Sequence, residues 1–188
     1  LEVKLSMLAR MAASRAKLLN SVESMELCND KLMSQVKLNS ASIRTPYSFT
    51  MQNPEDVEKI VAYMEEAGKL KYPTIVKTLR GTHGIGVMKV DSRSSLVSVS
   101  QMLLKEGIEF MVQEFIKHEQ SARIIMIGKN VLAANLRGQA KEKDEFRTNS
   151  HLGSETEQYH PSPKEIELGE KIVELFGCEF CAIDYIMV

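Results

Sequence analysis

Two charged residues sit where their neighbours are apolar. Lys77 lies in Thr74-Ile-Val-Lys-Thr-Leu79, and Asp184 interrupts Cys181-Ala-Ile-Asp-Tyr-Ile-Met-Val188. A charge taken out of water without a partner is strongly destabilising. Lys77 must therefore reach an anion or extend to solvent. Asp184 calls either for a hard cation such as Mg²⁺, which combines a few carboxylates with phosphate oxygens, or for an Arg or Lys partner. A third stretch, Met111-Val-Gln-Glu-Phe-Ile116, carries Gln113 and Glu114. Strand alternation sets Glu114 on the side of Val112, so it needs a polar partner if that side is buried, or a solvated edge if it is not.

Gly81, Gly84 and Gly86 fall in Arg80-Gly-Thr-His-Gly-Ile-Gly86, between two strand-like segments and just after Lys77. Backbone free of side chains can turn its N–H groups onto phosphate oxygens, or simply supply the positive φ angles of a hairpin. Three phosphate motifs are excluded. There is no Gly-Lys-Ser/Thr ending as in a Walker loop. A strand rather than a helix follows, unlike a Rossmann turn. Lys77 precedes the glycines, the reverse of a protein-kinase loop.

Other polar stretches are less specific. Lys141–Gly153 gathers Asp144, Glu145, Arg147, Asn149 and His151, and on its own reads as a solvated surface loop. Cys178-Glu-Phe-Cys181 leads into a strand, whereas a redox Cys-x-x-Cys should open a helix, and no second pair or spaced histidine completes a zinc site. These cysteines read as buried free thiols. His83, His118 and His160 are isolated.

The elements that must hold these groups can be read from periodicity and caps. Residues 1–40 are helical, with Leu5, Leu8, Ala12, Ala16 and Leu19 on one stripe, a break at Asn20-Ser21, and Asn29-Asp30 capping a further helix whose Leu32, Val36 and Leu38 face inward. Thr45-Pro46 opens an extended piece, and Asn53-Pro54-Glu55-Asp56 starts a helix ending at Gly68. Strands are expected at 73–77, 87–90, 109–116, 122–127, 131–136 and 179–188. Helices are expected at 92–105 and from Ser162 to Phe176, where Ser162 caps, Pro163 follows and Gly177 terminates. Strands and helices do not alternate strictly, so the class is α+β, or mixed α/β, with antiparallel sheet.

The chain has 188 residues, 44% hydrophobic and 26% charged, and Lys+Arg 24 against Asp+Glu 25 leaves a net charge of -1. That suits a folded domain or two small lobes and provides no basic field for nucleic acid or membrane. No apolar run approaches the roughly 18–20 residues of a membrane span. Three cysteines cannot all pair, which suits a reducing cytoplasm. The chain begins without Met, as a trimmed chain would.

Several of these segments, in this order, resemble the ATP-grasp superfamily and within it the RimK-type ligases: Asn29-Asp30-Lys31, Ile43-Arg-Thr-Pro46, Pro73-Thr-Ile-Val-Lys77, Gly81-Thr-His-Gly-Ile-Gly-Val87, Val112-Gln-Glu-Phe-Ile-Lys117, Phe146-Arg-Thr-Asn-Ser-His151 and Ala182-Ile-Asp184. The resemblance implies an ATP-grasp fold of two α/β lobes with mainly antiparallel sheets. It divides the chain into a helical lead-in (1–40), a smaller lobe with the glycine loop (41–108) and a larger lobe (109–188). It also implies an ATP-dependent carboxylate–amine ligase acting through an acyl phosphate, joining glutamate to a protein or peptide carboxylate in the cytoplasm. Lys31 and Lys77 would contact the ATP phosphates beneath Gly81, Thr82, Gly84 and Gly86. Gln113, Glu114 and Phe115 would border adenine and ribose. Arg147 and Asn149 would face the phosphates, Arg123 and Arg147 would serve catalysis, and Asp184 would bind Mg²⁺, with Mn²⁺ as an alternative. Neither nucleic acid nor membrane is implied as a partner; a homo-oligomer stays open.

Departures from the pattern keep a second reading open, an inactive nucleotide-binding module serving as scaffold or regulator. After His118 the family carries a Gly-x-Asp-Ile-Arg-like run, where this chain has Glu119-Gln-Ser-Ala-Arg123, without the acid. The resemblance further expects an α/β domain before Leu1 and a Glu-x-Asn metal strand after Val188.

Overall fold

A computed structural model describes residues 2–81, 85–118, 120–138 and 156–187. The described residues form two four-stranded antiparallel sheets with helices, in two compact units. The α+β expectation holds.

One unit is Ile43–Lys117. Its sheet has the order β1-β4-β2-β3, from β1 (Ser48–Phe49), β2 (Thr74–Thr78), β3 (Val87–Val90) and β4 (Phe110–Glu114). Val76, Val90, Phe110 and Val112 point to one face and pack on Val57 and Val61 of α4 (Val57–Glu66) and Leu96 and Leu103 of α5 (Arg93–Lys105). Each such buried side chain contributes about 1.5–3 kcal/mol. A short 3₁₀ turn, Pro54–Asp56, leads into α4, and Ser92 caps α5 by accepting from the Ser95 N–H. Because β4 pairs with β2 over Thr74↔Glu114 to Thr78↔Phe110, this unit runs to Lys117 instead of ending at 108.

The other unit combines Leu1–Ser42 with His118–Val188. Its sheet is ordered β7-β6-β5-β8, from β5 (Gln120–Ile127), β6 (Asn130–Gly138), β7 (Thr156–Gln158) and β8 (Phe180–Ile186). Gly128 takes the left-handed turn between β5 and β6, with φ of 52°. Ile124 and Met126 pack on Val173 of α6 (Pro163–Phe176). The helix has the start and stop read from its sequence: a Ser162–Glu165 capping box, Pro163 in its first turn and Gly177 left-handed behind it. β7 was not anticipated; three exposed polar residues carry no strand pattern.

The N-terminal helices depart from expectation. The first, α1 (Glu2–Ala13), stops short of Leu19, and Leu5, Leu8, Ala12, Ala16 and Leu19 are exposed rather than inward. Polar ties connect it to α2 (Val22–Asn29): Ser6 donates to Glu26, and Arg10 pairs with Glu26 at 2.5 Å and Glu23 at 3.5 Å. In α3 (Lys31–Ser40), Asp30 caps as expected, but Val36 is exposed and Gln35 is buried. No described helix is long and apolar enough to cross a membrane.

Candidate functional site

In the unit Ile43–Lys117, alternation along β2 sends Lys77 to the sheet face opposite α4 and α5, together with Ile75. Across the ladder that face carries Met111 and Gln113. The Lys77 Nζ donates to Gln113 Oε1 at 2.6 Å, and the Gln113 amide donates to Ser48 Oγ at 3.1 Å. The partly buried lysine thus has the neutral Gln113 amide among its partners. Glu114 is exposed at the end of β4, an interior strand; its carboxylate accepts from the Tyr47 N–H at 2.8 Å, and its own N–H donates to the Tyr47 carbonyl at 2.9 Å. Of the two earlier possibilities for Glu114, the polar partner is met; the edge strand is not, because β4 is flanked by β1 and β2. Phe115 lies beneath Lys89, whose ammonium is 5.3 Å from the ring centroid.

The hairpin carrying the glycines begins beside Lys77, which stands opposite Val87 in the register. Gly81 (φ 122°) and Gly86 (φ 77°) both need glycine's conformational range. At Gly86 a side chain would also strike Thr78, since a Cβ would lie 2.4 Å from its Oγ1. The Gly86 carbonyl accepts from the Thr78 N–H at 3.0 Å and closes the turn. Thr82, His83 and Gly84 lie outside the described residues, as do Arg147, Asn149 and the rest of the 139–155 stretch.

In the other unit, Arg123 of β5 stands between Asn135 of β6 and Asp184 of β8 in the ladder. Its Nε and Nη2 donate to the two Asp184 oxygens at 2.6 and 2.5 Å. Arg137, opposite Ser121, brings its Nη1 to 3.7 Å from Asp184 Oδ1. All lie on the face away from α6, whose contacts belong to Ile124 and Met126. Two guanidiniums around one carboxylate leave a net positive cluster. Arg137 is only 9% exposed, and its Nε and the Asn135 Oδ1 are buried without hydrogen-bond partners. Burial, and then the neighbouring Arg123 charge, push Arg137 below the usual guanidinium range, while the bond to Asp184 raises Arg123. Such a guanidinium stays charged at neutral pH, so the cluster keeps a net positive charge that attracts anions.

Of the two readings left open for Asp184, this arrangement displays the arginine partner. The described residues do not fit a Mg²⁺ ion as they stand: the carboxylate is engaged by Arg123 and flanked by Arg137, and no group of three or more His, Cys, Asp or Glu is arranged to hold a metal among them. Lys31 is the first residue of α3, just after the Asp30 cap, and belongs to a different compact unit from Lys77. Sequence reasoning missed Arg137 and Asn135, because one arginine in Asn130–Gly138 carries no spacing signal until the β5 register sets it beside Asp184.

The face opposite α6 is held in place from behind. Tyr185, next to Asp184 and pointing the other way, donates to Glu165 Oε1 at 2.5 Å, and Tyr159 donates to the same carboxylate at 2.7 Å. Burial pulls Glu165 upward, but the hydrogen bonds from Tyr185, Ser162 and Tyr159 outweigh it and hold the carboxyl down at about 2.

A family model described as a RimK-like ATP-grasp domain matches residues 28–188. The chain belongs to that family. Among curated relatives of this RimK-like chain, a probable alpha-L-glutamate ligase of Halorhodospira halophila is 31% identical over 168 residues, covering 88% of this chain and 53% of the relative. The chain spans about half the length of the curated relatives it matches first. Among solved structures, a RimK domain ATP-grasp protein from Sphaerobacter thermophilus aligns with a TM-score of 0.70 at 21% identity, over 98% of this chain and 64% of that one. A D-alanine--D-alanine ligase from Bacillus anthracis complexed with ATP aligns with a TM-score of 0.70 at 20% identity, over 90% and 54%. At these identities the structural likeness establishes the ATP-grasp fold.

Proposed function

We propose that the whole protein is an ATP-dependent carboxylate–amine ligase that adds glutamate to a protein or peptide carboxylate. The reading is supported by membership of the RimK-like family and by relatives named as probable alpha-L-glutamate ligases. The observation that carries it is the cationic cluster of Arg123 and Arg137 around the single carboxylate of Asp184. In the proposed reaction the acceptor carboxylate attacks the γ-phosphorus of ATP, giving an acyl phosphate and ADP. The amine of glutamate then attacks the acyl carbon and expels inorganic phosphate. Both steps develop negative charge on phosphoryl or carbonyl oxygens, which preorganised cations stabilise without reorganisation.

In this reading Lys77, oriented by Gln113, binds a nucleotide phosphate, and the glycine hairpin beside it supplies backbone donors. Glu114 and Phe115 border the nucleoside. Arg123 and Arg137 receive the transferring phosphoryl group or the acceptor carboxylate. Lys31, Arg147 and Asn149 remain proposals on the family pattern. Mg²⁺, the companion of ATP in this reading, would neutralise phosphate charge when bound.

The test is calorimetric titration of the full-length protein with ATP and Mg²⁺, followed by ADP release with peptide carboxylates and glutamate. Lys77→Ala should weaken ATP binding about tenfold or more, equivalent to about 1.4 kcal/mol. Unchanged affinity in that variant would remove the reading's support from Lys77. The module alternative is favoured by Ser121, which stands opposite Arg137 where the family pattern has an acid. Tight ATP binding without turnover in the complete protein would select it.

A further inference from the structure

Cys28 in α2 and Cys178 in the turn after α6 are 150 positions apart, yet their Sγ atoms approach to 3.8 Å. The junction around them is pinned. Asn20 Oδ1 accepts from the N–H groups of Glu179 (2.6 Å) and Phe180 (2.8 Å), and its Nδ2 donates to the Phe180 carbonyl at 2.7 Å. Ser24 Oγ donates to the Gly177 carbonyl at 2.8 Å. Cys28 is exposed, Cys178 is buried, and all three cysteines are free. The sulfurs need to close from 3.8 Å to about 2.05 Å to bond. Cys178 thus has two thiol neighbours, Cys181 of its own Cys-x-x-Cys and Cys28 from α2.

We propose that Cys28 and Cys178 form an oxidation site that takes a low-molecular-weight disulfide as co-substrate. The exposed Cys28, as thiolate, attacks one sulfur of that disulfide, forming a mixed disulfide and releasing one small thiol. Cys178, its proton passed to solvent, then attacks Cys28 Sγ, forms the Cys28–Cys178 bond and expels the second small thiol. The two protein thiols lose two electrons, and the small disulfide gains them. Cys28 is exposed as a residue, but its sulfur turns toward Cys178, and partial burial there first, then the neighbouring Cys178, pushes its thiol up to about 12; burial and then Cys178 raise Cys181 to about 11. Only the thiolate attacks, so the reaction is slow near neutrality and quickens as pH rises. The bridge would restrict the unfolded chain over a long loop and so favour the folded unit.

The experiment incubates the full chain with oxidised glutathione at pH 7 and pH 9, blocks free thiols and maps peptides by mass. A Cys28–Cys178 linked peptide is expected, forming faster at pH 9, with a melting temperature several degrees above the reduced protein and full reversal by dithiothreitol. Cys181→Ser should still form the bridge; Cys28→Ser should show no oxidative gain in melting temperature. A stable Cys28–glutathione adduct, a Cys178–Cys181 bridge, or a linked protein with unchanged melting temperature would overturn the proposal.

Discussion

Arg123 and Asp184 face one another across the β5–β8 ladder and share two hydrogen bonds, at 2.6 and 2.5 Å. The pair is half-exposed, with side chains 34% and 53% accessible, so its own contribution to stability is modest. Its consequence is orientation: a flexible arginine becomes a fixed cation on one sheet face. Asp184→Asn should lower the melting temperature by about 2–4 °C, corresponding to about 1 kcal/mol for a domain of this size. It should also tighten binding of inorganic phosphate, because two guanidiniums then face solvent without a countercharge. Calorimetric phosphate titration in the absence of metal distinguishes this from a metal-ligand role, in which phosphate affinity without metal stays constant.

Arg137 should separate stability from binding. It is buried with an unpaired Nε, so its presence costs folding free energy. Arg137→Met should leave the melting temperature unchanged or raised, while ATP or phosphate affinity falls about tenfold, about 1.4 kcal/mol. Thermal unfolding and titration on the same samples provide the check. A large drop in melting temperature with unchanged anion binding would make the residue structural.

Gly86 tests the hairpin. Alanine there meets a φ of 77° and a Cβ position 2.4 Å from Thr78 Oγ1. Gly86→Ala should destabilise by about 1–3 kcal/mol, and faster hydrogen exchange at the Thr78 amide would localise the damage. Gly68→Ala is the control: its φ is similar but its surroundings are open, so its cost comes from backbone conformation alone.

Glu165 gives the fold an acid-sensitive link. Its carboxyl lies at about 2 in the folded protein, below its ordinary value of 4.5. A depressed carboxylate adds stability above its unfolded value and loses it as pH falls toward its folded one. Wild-type melting temperature should therefore fall across pH 4.5 to 2, and Glu165→Gln should lose the part of that slope due to this group. At pH 7 the variant should melt about 2–4 °C lower, since the capping box and the Tyr185 and Tyr159 bonds weaken. Melting curves for both proteins at pH 3, 4 and 7 measure this.

The sequence by itself determined the elements whose causes are local. Ser162, Pro163 and Gly177 bound α6, and Asp30 caps α3, because caps and positive φ angles depend on near neighbours. Lys77 and Asp184 were legible as anomalies for the same reason, a charge among apolar residues. Their partners were not. Gln113 reaches Lys77 through the β2–β4 register, and Arg123 and Arg137 reach Asp184 through two further ladders. The lead-in helices failed for a related reason: periodicity shows that a stripe exists, whereas burial depends on what packs against it, and Leu5, Leu8 and Val36 stay exposed. Strand register and the meeting of Cys28 with Cys178 arise from contacts across long stretches of chain, and only the tertiary structure decides those.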